Sequence, residues 1–385
     1  MFHRTALPPA SRDKGTSADR AATPADGRGI GTEAAAGDND LMPAVLSDPG
    51  VRAWLARALA GQRIVAVQQL AGGYRNDNVL LVTDAAEKYV LRRYRGEDVE
   101  ATGRTCGVEA ALAARLRGIV PVPEVIAADP AGSAAGEPLL LSRYAAGSMV
   151  SEVLARPDGA AAGSAGQLAG DPGRAAADLG RAAADLGRAA GAVLAAIGSV
   201  RFGGPGFFTG PDLIPSAEGM PASLPDFVED CLRAAGASGE RVVGGLSPAE
   251  QDGLRALAVR AGPAAARADG RRQLVHSDYN PKNLLAVHRG GRWSITAVLD
   301  WEFAYSGSPL ADIGNMLRPR PVVPAEFATG FSTGYREAGG ELPDGWREIS
   351  EALDLYALAD FLTRPPEHRY FRRAVALIRE RLARS

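Results

Sequence analysis

The sequence predicts an α+β protein with two lobes, a small β-rich lobe followed by a larger, mainly helical lobe. Strand-length apolar runs separated by glycine and other turn residues are concentrated between residues 64 and 144. Helical spacing of apolar residues prevails from about residue 225 to the end of the chain. A length of 385 residues accommodates two such units, and 46% hydrophobic residues supply the material for their cores.

The predicted organisation has three parts, which are a disordered N-terminal extension over residues 1–41, a small lobe over 42–144 and a helical lobe over 145–385. The extension is polar, rich in Gly, Ala and Pro, and has no apolar periodicity, so it cannot bury enough apolar surface to fold. Met42 is an alternative start of the chain, in which case the extension is not part of the protein.

In the small lobe, a short amphipathic helix precedes three strands, a second helix and two further apolar segments. Residues 48–59 carry apolar side chains at helical spacing, and two prolines after residue 120 end the second helix. The sequence predicts strands over 64–70, 78–83, 88–94 and 139–144, a helix over 109–116 and an apolar run over 125–128.

In the helical lobe, one segment interrupts the helical pattern. Residues 274–301 have the pattern of a loop followed by a β-hairpin, because two apolar runs flank Gly290 and Gly291, which tolerate the positive φ of a tight turn. The runs cover residues 284–289 and 293–299, and the helices predicted around them cover 226–235, 248–261, 349–363 and 372–383.

Residues 156–190 are predicted to be a low-complexity insertion, rich in Ala and Gly, that contains a tandem repeat. The segment GRAAADL at 173–179 recurs at 180–186 and begins again at Gly187. Two copies are too few for a solenoid. A duplicated heptad in an Ala-rich surface helix is the favoured interpretation, and a coiled-coil element is the alternative. Leu179, Leu186, Val193 and Leu194 can line one face, in which case the repeat lengthens the first helix of the helical lobe.

The composition excludes several classes of protein. With 43 basic and 45 acidic residues, the net charge of −2 lacks the basic excess of a dedicated nucleic-acid binder. Two cysteines, Cys106 and Cys231, do not support a disulfide framework or a cysteine zinc site, and they fit a reduced, cytoplasmic setting. No apolar stretch approaches the roughly 20 residues that span a bilayer, so no membrane association is predicted.

The residues that carry chemistry lie in and after the loop of the helical lobe. His276, Asp278 and Asn283 form an H-x-D-x-x-x-x-N loop that leads into an apolar strand, and Asp300 ends the next strand. Phosphoryl transfer from ATP needs a carboxylate that accepts the proton of the acceptor hydroxyl, and oxygen ligands for Mg²⁺ on the phosphates. Asp278 suits the first task. Asn283 and Asp300 suit the second, because a hairpin brings both to one edge. The alternative is that these four are only turn and cap residues.

At these residues the chain resembles a known family, the aminoglycoside phosphotransferase and choline kinase-like group. VHSDYNPKNLL resembles its catalytic loop and LDWEFAYSGSPLADIGNM its metal-binding segment. The resemblance spans residues 48–363 and implies a protein-kinase-like fold. Its implied site comprises Asp278 as catalytic base, Asn283 and Asp300 as Mg²⁺ ligands, His276 and Asp312 as supports of the loop, and Glu302 as a further supporting residue. Lys282 departs from the family, many members of which have a small or neutral residue there. It is a candidate contact of the γ-phosphate or the acceptor, and the alternative is that it is only solvent-exposed.

The resemblance also places nucleotide-binding residues in the small lobe. Gly72 and Gly73 stand where the family has its phosphate-covering loop, and Arg92 stands in the strand where protein kinases carry a lysine. Glu109 is expected to pair with Arg92. Lys88 is the second candidate for the phosphate contact. Ser142 and Tyr144 lie in the segment that resembles the hinge, whose backbone would hold the base of ATP or GTP.

The acceptor is a small molecule with a hydroxyl group, and its identity stays open. A polycationic aminoglycoside needs clustered carboxylates. The candidate carboxylates of the helical lobe are Glu229, Asp230, Glu302, Glu351, Asp354 and Asp360. The arginine-rich segment 364–384 is an unusual neighbour for a polycation, so either it lies away from the site or the acceptor is neutral, zwitterionic or anionic. An antibiotic-modifying kinase, a metabolic kinase acting on a choline-, homoserine- or methylthioribose-like hydroxyl, and a nucleotide-binding pseudokinase are therefore the three hypotheses. The intact Asp278, Asn283 and Asp300 argue against the pseudokinase.

Overall fold

The computed structural model describes residues 44–70, 76–155, 172–236, 245–319 and 323–384. It contains a β-rich N-terminal lobe and a helical C-terminal lobe, so the protein is α+β with two lobes. The helices are α1 Ala44–Ser47, α2 Pro49–Ala58, α3 Val99–Leu116, α4 Val150–Ala155, α5 Pro172–Ser199, α6 Leu224–Ala235, α7 Pro248–Ala266, α8 Leu310–Leu317, α9 Ala325–Glu337, α10 Trp346–Phe361 and α11 Arg369–Ala383. The strands are β1 Ile64–Gln69, β2 Asn76–Thr83, β3 Lys88–Tyr94, β4 Val125–Asp129, β5 Leu139–Arg143, β6 Ser148–Met149, β7 Gly206–Phe208, β8 Pro215–Ser216, β9 Gln273–Val275, β10 Leu284–Arg289, β11 Arg292–Val298 and β12 Tyr305–Gly307.

The N-terminal lobe is built on an antiparallel sheet of five strands in the order β1-β2-β3-β5-β4. Alternation along β3 buries Tyr89 and Leu91 on one face and places Arg92 on the other face, which it shares with the buried Tyr94. Leu91 pairs with Val79 of β2 and Leu141 of β5, which puts it in the middle of the sheet. Arg92 therefore projects from a rigid central strand.

Helix α3 is longer than the sequence predicted. It begins at Val99, not at residue 109, and Asp98 caps it by accepting the N–H of Ala101 at 2.9 Å. Gly103 lies in its first half, where a Cβ would meet the carbonyl oxygen of Pro130 at 2.4 Å. Glycine is a poor helix former, so its presence weakened the helix prediction for the first ten residues of α3. The close approach to Pro130 explains why a glycine stands there.

The predicted hairpin is present as β10 and β11, joined by Gly290 and Gly291, which both have positive φ. Leu284 pairs with Val298, so the residues on either side of this pair, Asn283 and Leu299, lie next to each other. Strand β6 adds to β10, and a separate four-stranded sheet has the order β8-β7-β12-β9. These short strands were not predicted, because two or three residues are too few for a periodic pattern.

The second half of the tandem repeat lies in a core helix. Helices α5 and α9 cross so closely that a Cβ on Gly191 would meet the carbonyl oxygen of Phe331 at 2.0 Å, and one on Gly187 that of Phe327 at 2.2 Å. Leu186 and Leu194 are fully buried on the same helix. Residues 178–190 are thus part of the C-terminal core and not the predicted surface insertion, whereas residues 156–171 lie outside the described residues.

Helix α11 is fixed to the lobe by a buried ionic cluster. The carboxylate of Asp354 in α10 accepts hydrogen bonds from Arg318 and from Arg381 of α11, the latter at 2.7 Å. Its side chain is 1% exposed, so the ion pairs with the two arginines stabilise a charge that water does not reach. None of the described helices is long and apolar enough to cross a bilayer.

Candidate active site

The carboxylate of Asp278 is the centre of the candidate site. Asn280 donates to Oδ1 at 2.8 Å, and Asn283 donates to Oδ2 at 2.8 Å. The ammonium of Lys282 lies 3.1 Å from Oδ2. These donors come from one short turn, since residues 281–283 form a single 3-10 turn after Asn280. The carboxylate is therefore held in one orientation by its own loop.

The backbone before Asp278 is held in an unusual conformation by Asp312. Ser277 has φ +71°, a left-handed conformation that costs energy for a residue with a side chain. The Asp312 carboxylate, at the start of α8, accepts the N–H of His276 at 2.7 Å and that of Ser277 at 2.8 Å. Burial raises the pKa of Asp312 to about 7, against the lowering effect of these N–H groups.

His276 connects the loop to the segment that follows β11. Its Nδ1 accepts the N–H of Asp278 at 3.2 Å, so Nε2 carries the proton and donates to the carbonyl oxygen of Leu299 at 2.9 Å. This assigns the neutral Nε2–H tautomer. Burial lowers the pKa of His276, which keeps the ring neutral. The side chain packs 4.5 Å from the ring of Trp301.

Asn283 and Asp300 are brought together as the hairpin predicted. The N–H of Leu299 donates to the carbonyl oxygen of Asn283 at 2.9 Å, which places Asp300 one residue beyond that contact. Asp300 also has a left-handed backbone, with φ +68°. Although burial opposes its charge, the Arg92 guanidinium lowers the pKa of Asp300 below its usual range.

Arg92 lies among three carboxylates. It contacts Glu109 Oε1 at 3.0 Å, Asp300 Oδ1 at 2.8 Å and Glu302 Oε2 at 3.4 Å. The predicted Arg92–Glu109 pair is thus present. Despite its burial, these carboxylates raise the pKa of Arg92. Burial raises the pKa of Glu109, whose other oxygen accepts a hydrogen bond from Tyr94. Arg92 therefore joins the two lobes through ion pairs.

The residues present fit a Mg²⁺ ion. Asn283 uses its Nδ2 on Asp278, and its Oδ1 accepts no hydrogen bond from any described residue. Arg92 occupies only Oδ1 of Asp300, and Oδ2 is likewise without a donor among the described residues. Mg²⁺ binds through one or two protein oxygens, phosphates and water, so an amide and a carboxylate oxygen suffice. The described residues include no group of three or more His, Cys, Asp or Glu side chains suited to a metal.

The other residues predicted to bind the nucleotide belong to the N-terminal lobe and the segment that follows it. Gly72 and Gly73 lie outside the described residues. Ser142 is buried in β5, and the N–H of Tyr144 donates to the carbonyl oxygen of Lys88 at 3.0 Å. That N–H is thus already paired within the sheet. Lys88 is exposed at the start of β3, so Arg92, not Lys88, reaches the second lobe.

Three residues beside Asp278 were not predicted. Asn280 and Asn315 both approach Oδ1, at 2.8 and 3.4 Å, and the Tyr370 hydroxyl lies 2.8 Å from Lys282 Nζ. Asn280 had a signal, since an Asn-Pro pair two residues after the carboxylate is a turn former. Tyr370 had none, because it is 88 positions from Lys282.

Most of the carboxylates proposed for a cationic acceptor are already paired. Glu229 contacts Arg255, Asp230 contacts Arg233, and Asp360 contacts Arg364. Asp354 is shared by Arg318 and Arg381, and Glu302 contacts Arg92. Glu351 is exposed on α10. Five of the six candidate carboxylates are therefore engaged in ion pairs with arginines.

A protein-family model described as "Phosphotransferase enzyme family" matches residues 66–351. A search of curated proteins found no match. A solved structure of a thermostable mutant of aminoglycoside phosphotransferase APH(4)-Ia, in complex with AMP-PNP and hygromycin B, is 19% identical with a TM-score of 0.53, covering 86% of this chain and 98% of that one.

Two further solved structures have similar folds. The GDP and kanamycin complex of APH(2")-IIia is 15% identical with a TM-score of 0.55, covering 87% of this chain and 98% of that one. The macrolide 2'-phosphotransferase MphH from Brachybacterium faecium is 21% identical with a TM-score of 0.50, covering 86% and 95%. At these identities the likeness establishes the fold.

Proposed function

Because the chain belongs to the phosphotransferase enzyme family, we propose that it transfers the γ-phosphoryl group of a Mg²⁺-bound nucleoside triphosphate to a hydroxyl group of a small molecule. The observation that carries this proposal is the carboxylate of Asp278, fixed by Asn280 and Asn283 beside the oxygen atoms of Asn283 and Asp300. Phosphoryl transfer requires a base and metal ligands close to one another, which this loop and the end of the hairpin supply.

Asp278 is the proposed catalytic base. It accepts the proton of the acceptor hydroxyl while a bond forms between the hydroxyl oxygen and the γ-phosphorus, and the bond from that phosphorus to the β–γ bridging oxygen breaks. His276 holds the backbone N–H of Asp278, and Asp312 holds the two N–H groups before it. These two residues act by positioning the base, because neither points to a reacting atom in this scheme.

Asn283 and Asp300 are the proposed metal ligands, through Oδ1 and Oδ2 respectively. A Mg²⁺ ion held by these two residues would supply the positive charge that neutralises the phosphates. Arg92 keeps the Asp300 side chain in place. It also supplies positive charge on the side of the site that faces the N-terminal lobe. Glu109 orients Arg92. Backbone N–H groups at Gly72 and Gly73 are the proposed cover of the phosphates.

Two classes of acceptor are supported by different observations. The similar structures bind hygromycin B and kanamycin or carry a macrolide phosphotransferase name, which supports an antibiotic hydroxyl and a role in resistance. The paired state of the candidate carboxylates, together with Lys282 beside Asp278, supports a metabolic acceptor that is not a polycation. ATP and GTP are both candidate donors.

An assay of ADP and GDP release tests the proposal. Purified protein with Mg²⁺ is offered aminoglycosides, macrolides, choline, homoserine and sugars. Release that depends on one acceptor class, and that is lost in Asp300→Ala, is the expected result. Release by wild type and Asp300→Ala at the same rate would refute the assignment of Asp300. Absence of release with every acceptor, although ATP binds, would support the pseudokinase hypothesis instead.

A further inference from the structure

The hydroxyl oxygen of Tyr370, at the beginning of α11, lies between two cations. Lys282 Nζ donates to it at 2.8 Å, and Arg369 Nη2 donates to it at 2.8 Å. A phenol oxygen accepts two hydrogen bonds and donates one. Since both acceptor positions are filled, the O–H of Tyr370 is left to donate, and no described residue accepts it. Three donors from three side chains therefore meet at Tyr370, and one of them, Lys282, also contacts Asp278.

Packing fixes Tyr370 in this position. Its ring stacks on Phe361, the last residue of α10, with a centroid distance of 5.2 Å and an angle of 17°. Its N–H donates to Nδ1 of His368 at 3.3 Å, the residue that caps α11. Asp354 holds the far part of α11 through Arg381. The arrangement does not depend on a ligand to order it.

The charge around Tyr370 is positive. The Lys282 charge is balanced by Asp278, and Asp360 is paired with Arg364. Burial lowers the pKa of Arg373, and the nearby charge of Arg318 lowers it further. The positive charges of Arg318 and Arg373 therefore repel each other, and a bound anion near Tyr370 would be stabilised.

We propose that Lys282, Arg369 and Tyr370 form an anion-binding subsite, and that the acceptor carries a carboxylate or phosphate close to its reacting hydroxyl. This inference rests on the proposed function, and it selects among its acceptors. In this arrangement the reacting hydroxyl of the acceptor lies at Asp278 and its anionic group lies at Tyr370. Lys282 connects the two positions, because its ammonium donates both to Asp278 and to the Tyr370 hydroxyl. Polycationic acceptors are disfavoured by the same three donors.

The subsite also has a consequence for the base. In the structure Lys282 occupies Oδ2 of Asp278, one of the two oxygens that could accept the hydroxyl proton. An anion bound between Lys282 and Arg369 attracts the ammonium away from the carboxylate. Asp278 then has a lone pair available for the hydroxyl. An acceptor with the anion is expected to react faster as well as bind more tightly than its neutral counterpart.

Calorimetric titration of the full chain, saturated with AMP-PNP and Mg²⁺, tests the subsite without turnover. The probes are glycerol 3-phosphate and 4-hydroxybutanoate, with glycerol, 1,4-butanediol and kanamycin for comparison. Arg369→Gln and Tyr370→Phe remove one donor each. Arg372→Gln is the matched control, because Arg372 is an exposed arginine of the same helix. Circular dichroism of each variant establishes that α11 still folds.

The expected result is binding of at least one anionic probe at least about tenfold more tightly than its neutral partner, an advantage lost in Arg369→Gln and reduced in Tyr370→Phe, with Arg372→Gln like wild type. Equal binding of anionic and neutral probes, tighter binding of kanamycin, or an unchanged anion affinity in Arg369→Gln would each overturn the subsite. An anion that binds in this pattern, in an enzyme that transfers phosphate to no acceptor, leaves the subsite standing and refutes the proposed function.

Discussion

The guanidinium of Arg92 contacts the carboxylate of Asp300 at 2.8 Å, although the two residues are 208 positions apart in the chain. Arg92 lies on a central strand of the N-terminal lobe, and Asp300 follows the hairpin of the C-terminal lobe. This contact connects the predicted phosphate-binding strand to the predicted metal ligand. The pair therefore couples the two lobes at the place where the nucleotide is proposed to bind.

Replacement of Arg92 by Gln is expected to lower the free energy of unfolding by about 3 kcal/mol, because the buried carboxylate of Glu109 would lose its cationic partner. The KM for the nucleotide is expected to rise in the same variant. Urea denaturation and nucleotide titration measure the two effects. Arg63→Gln is the control, since Arg63 is 79% exposed and its pair with Asp84 is worth about 0.5 kcal/mol or less. Equal stability of the two variants would contradict the buried role of Arg92.

Replacement of Asp312 by Asn is expected to lower kcat at least about tenfold and the free energy of unfolding by about 2 kcal/mol. The carboxylate accepts two N–H groups, whereas the amide can accept through one oxygen only. The left-handed Ser277 then loses its support and Asp278 moves. Asp252→Asn, in an exposed pair with Arg255, is the matched control and is expected to change neither quantity. Normal kcat in Asp312→Asn would show that the loop holds its shape without this carboxylate.

The stability of the protein is expected to depend on pH through His276. Burial lowers the pKa of His276 in the folded protein, whereas the same residue in the unfolded chain is protonated near pH 6.5. The unfolded chain therefore binds more protons, and the free energy of unfolding falls as pH falls from about 7 to about 5. Asp312, with a pKa of about 7, acts in the opposite direction: its contribution falls as pH rises from about 4 to about 7.

The difference between wild type and His276→Asn isolates the histidine from Asp312. Its slope against pH is expected to reach at most about 1.4 kcal/mol per unit, and it should vanish above about pH 7. Thermal or urea unfolding at several pH values measures it. His288→Asn, at an exposed position of β10, is the control and is expected to leave the slope unchanged. Parallel curves for wild type and His276→Asn would contradict a neutral, buried His276.

Two glycines of α5 are expected to respond in opposite ways to alanine. Gly191→Ala places a methyl group 2.0 Å from the carbonyl oxygen of Phe331, so the helices must separate at a cost of about 1–3 kcal/mol. At Gly180 the nearest atom is Cγ of the flexible Glu326 at 3.4 Å, and alanine should stabilise the helix by about 0.5–1 kcal/mol. Urea unfolding compares them. Equal effects would show that the crossing tolerates a wider spacing.

Much of the fold could be predicted because its elements follow strong local patterns. β2, β3 and β5 are apolar runs with clear ends, and the hairpin is marked by Gly290 and Gly291. The start of α3 was missed because Gly103 is retained for its contact with Pro130, not for helix propensity. The repeat was assigned to the surface because its alanines and glycines carry little apolar area, although they permit the close crossing with α9.

In the candidate site too, residues close in sequence could be predicted and contacts between distant segments could not. The loop residues from His276 to Asn283 are local in sequence, and the hairpin accounts for the nearness of Asp300. Contacts over long separations had no local signal. Arg92 with Glu302 and Lys282 with Tyr370 depend on how the lobes and α11 pack, which follows from the whole fold. The acceptor side of the site could therefore not be described before the structure.

Single-turnover transfer with [γ-³²P]ATP by wild type and Asp278→Ala, using the acceptor identified by the release assay, tests the central claim most directly. The account predicts that the rate of transfer falls at least about a hundredfold in Asp278→Ala, while nucleotide affinity stays within about twofold of wild type. A variant that transfers the label at a nearly normal rate would contradict the role of Asp278 as the base.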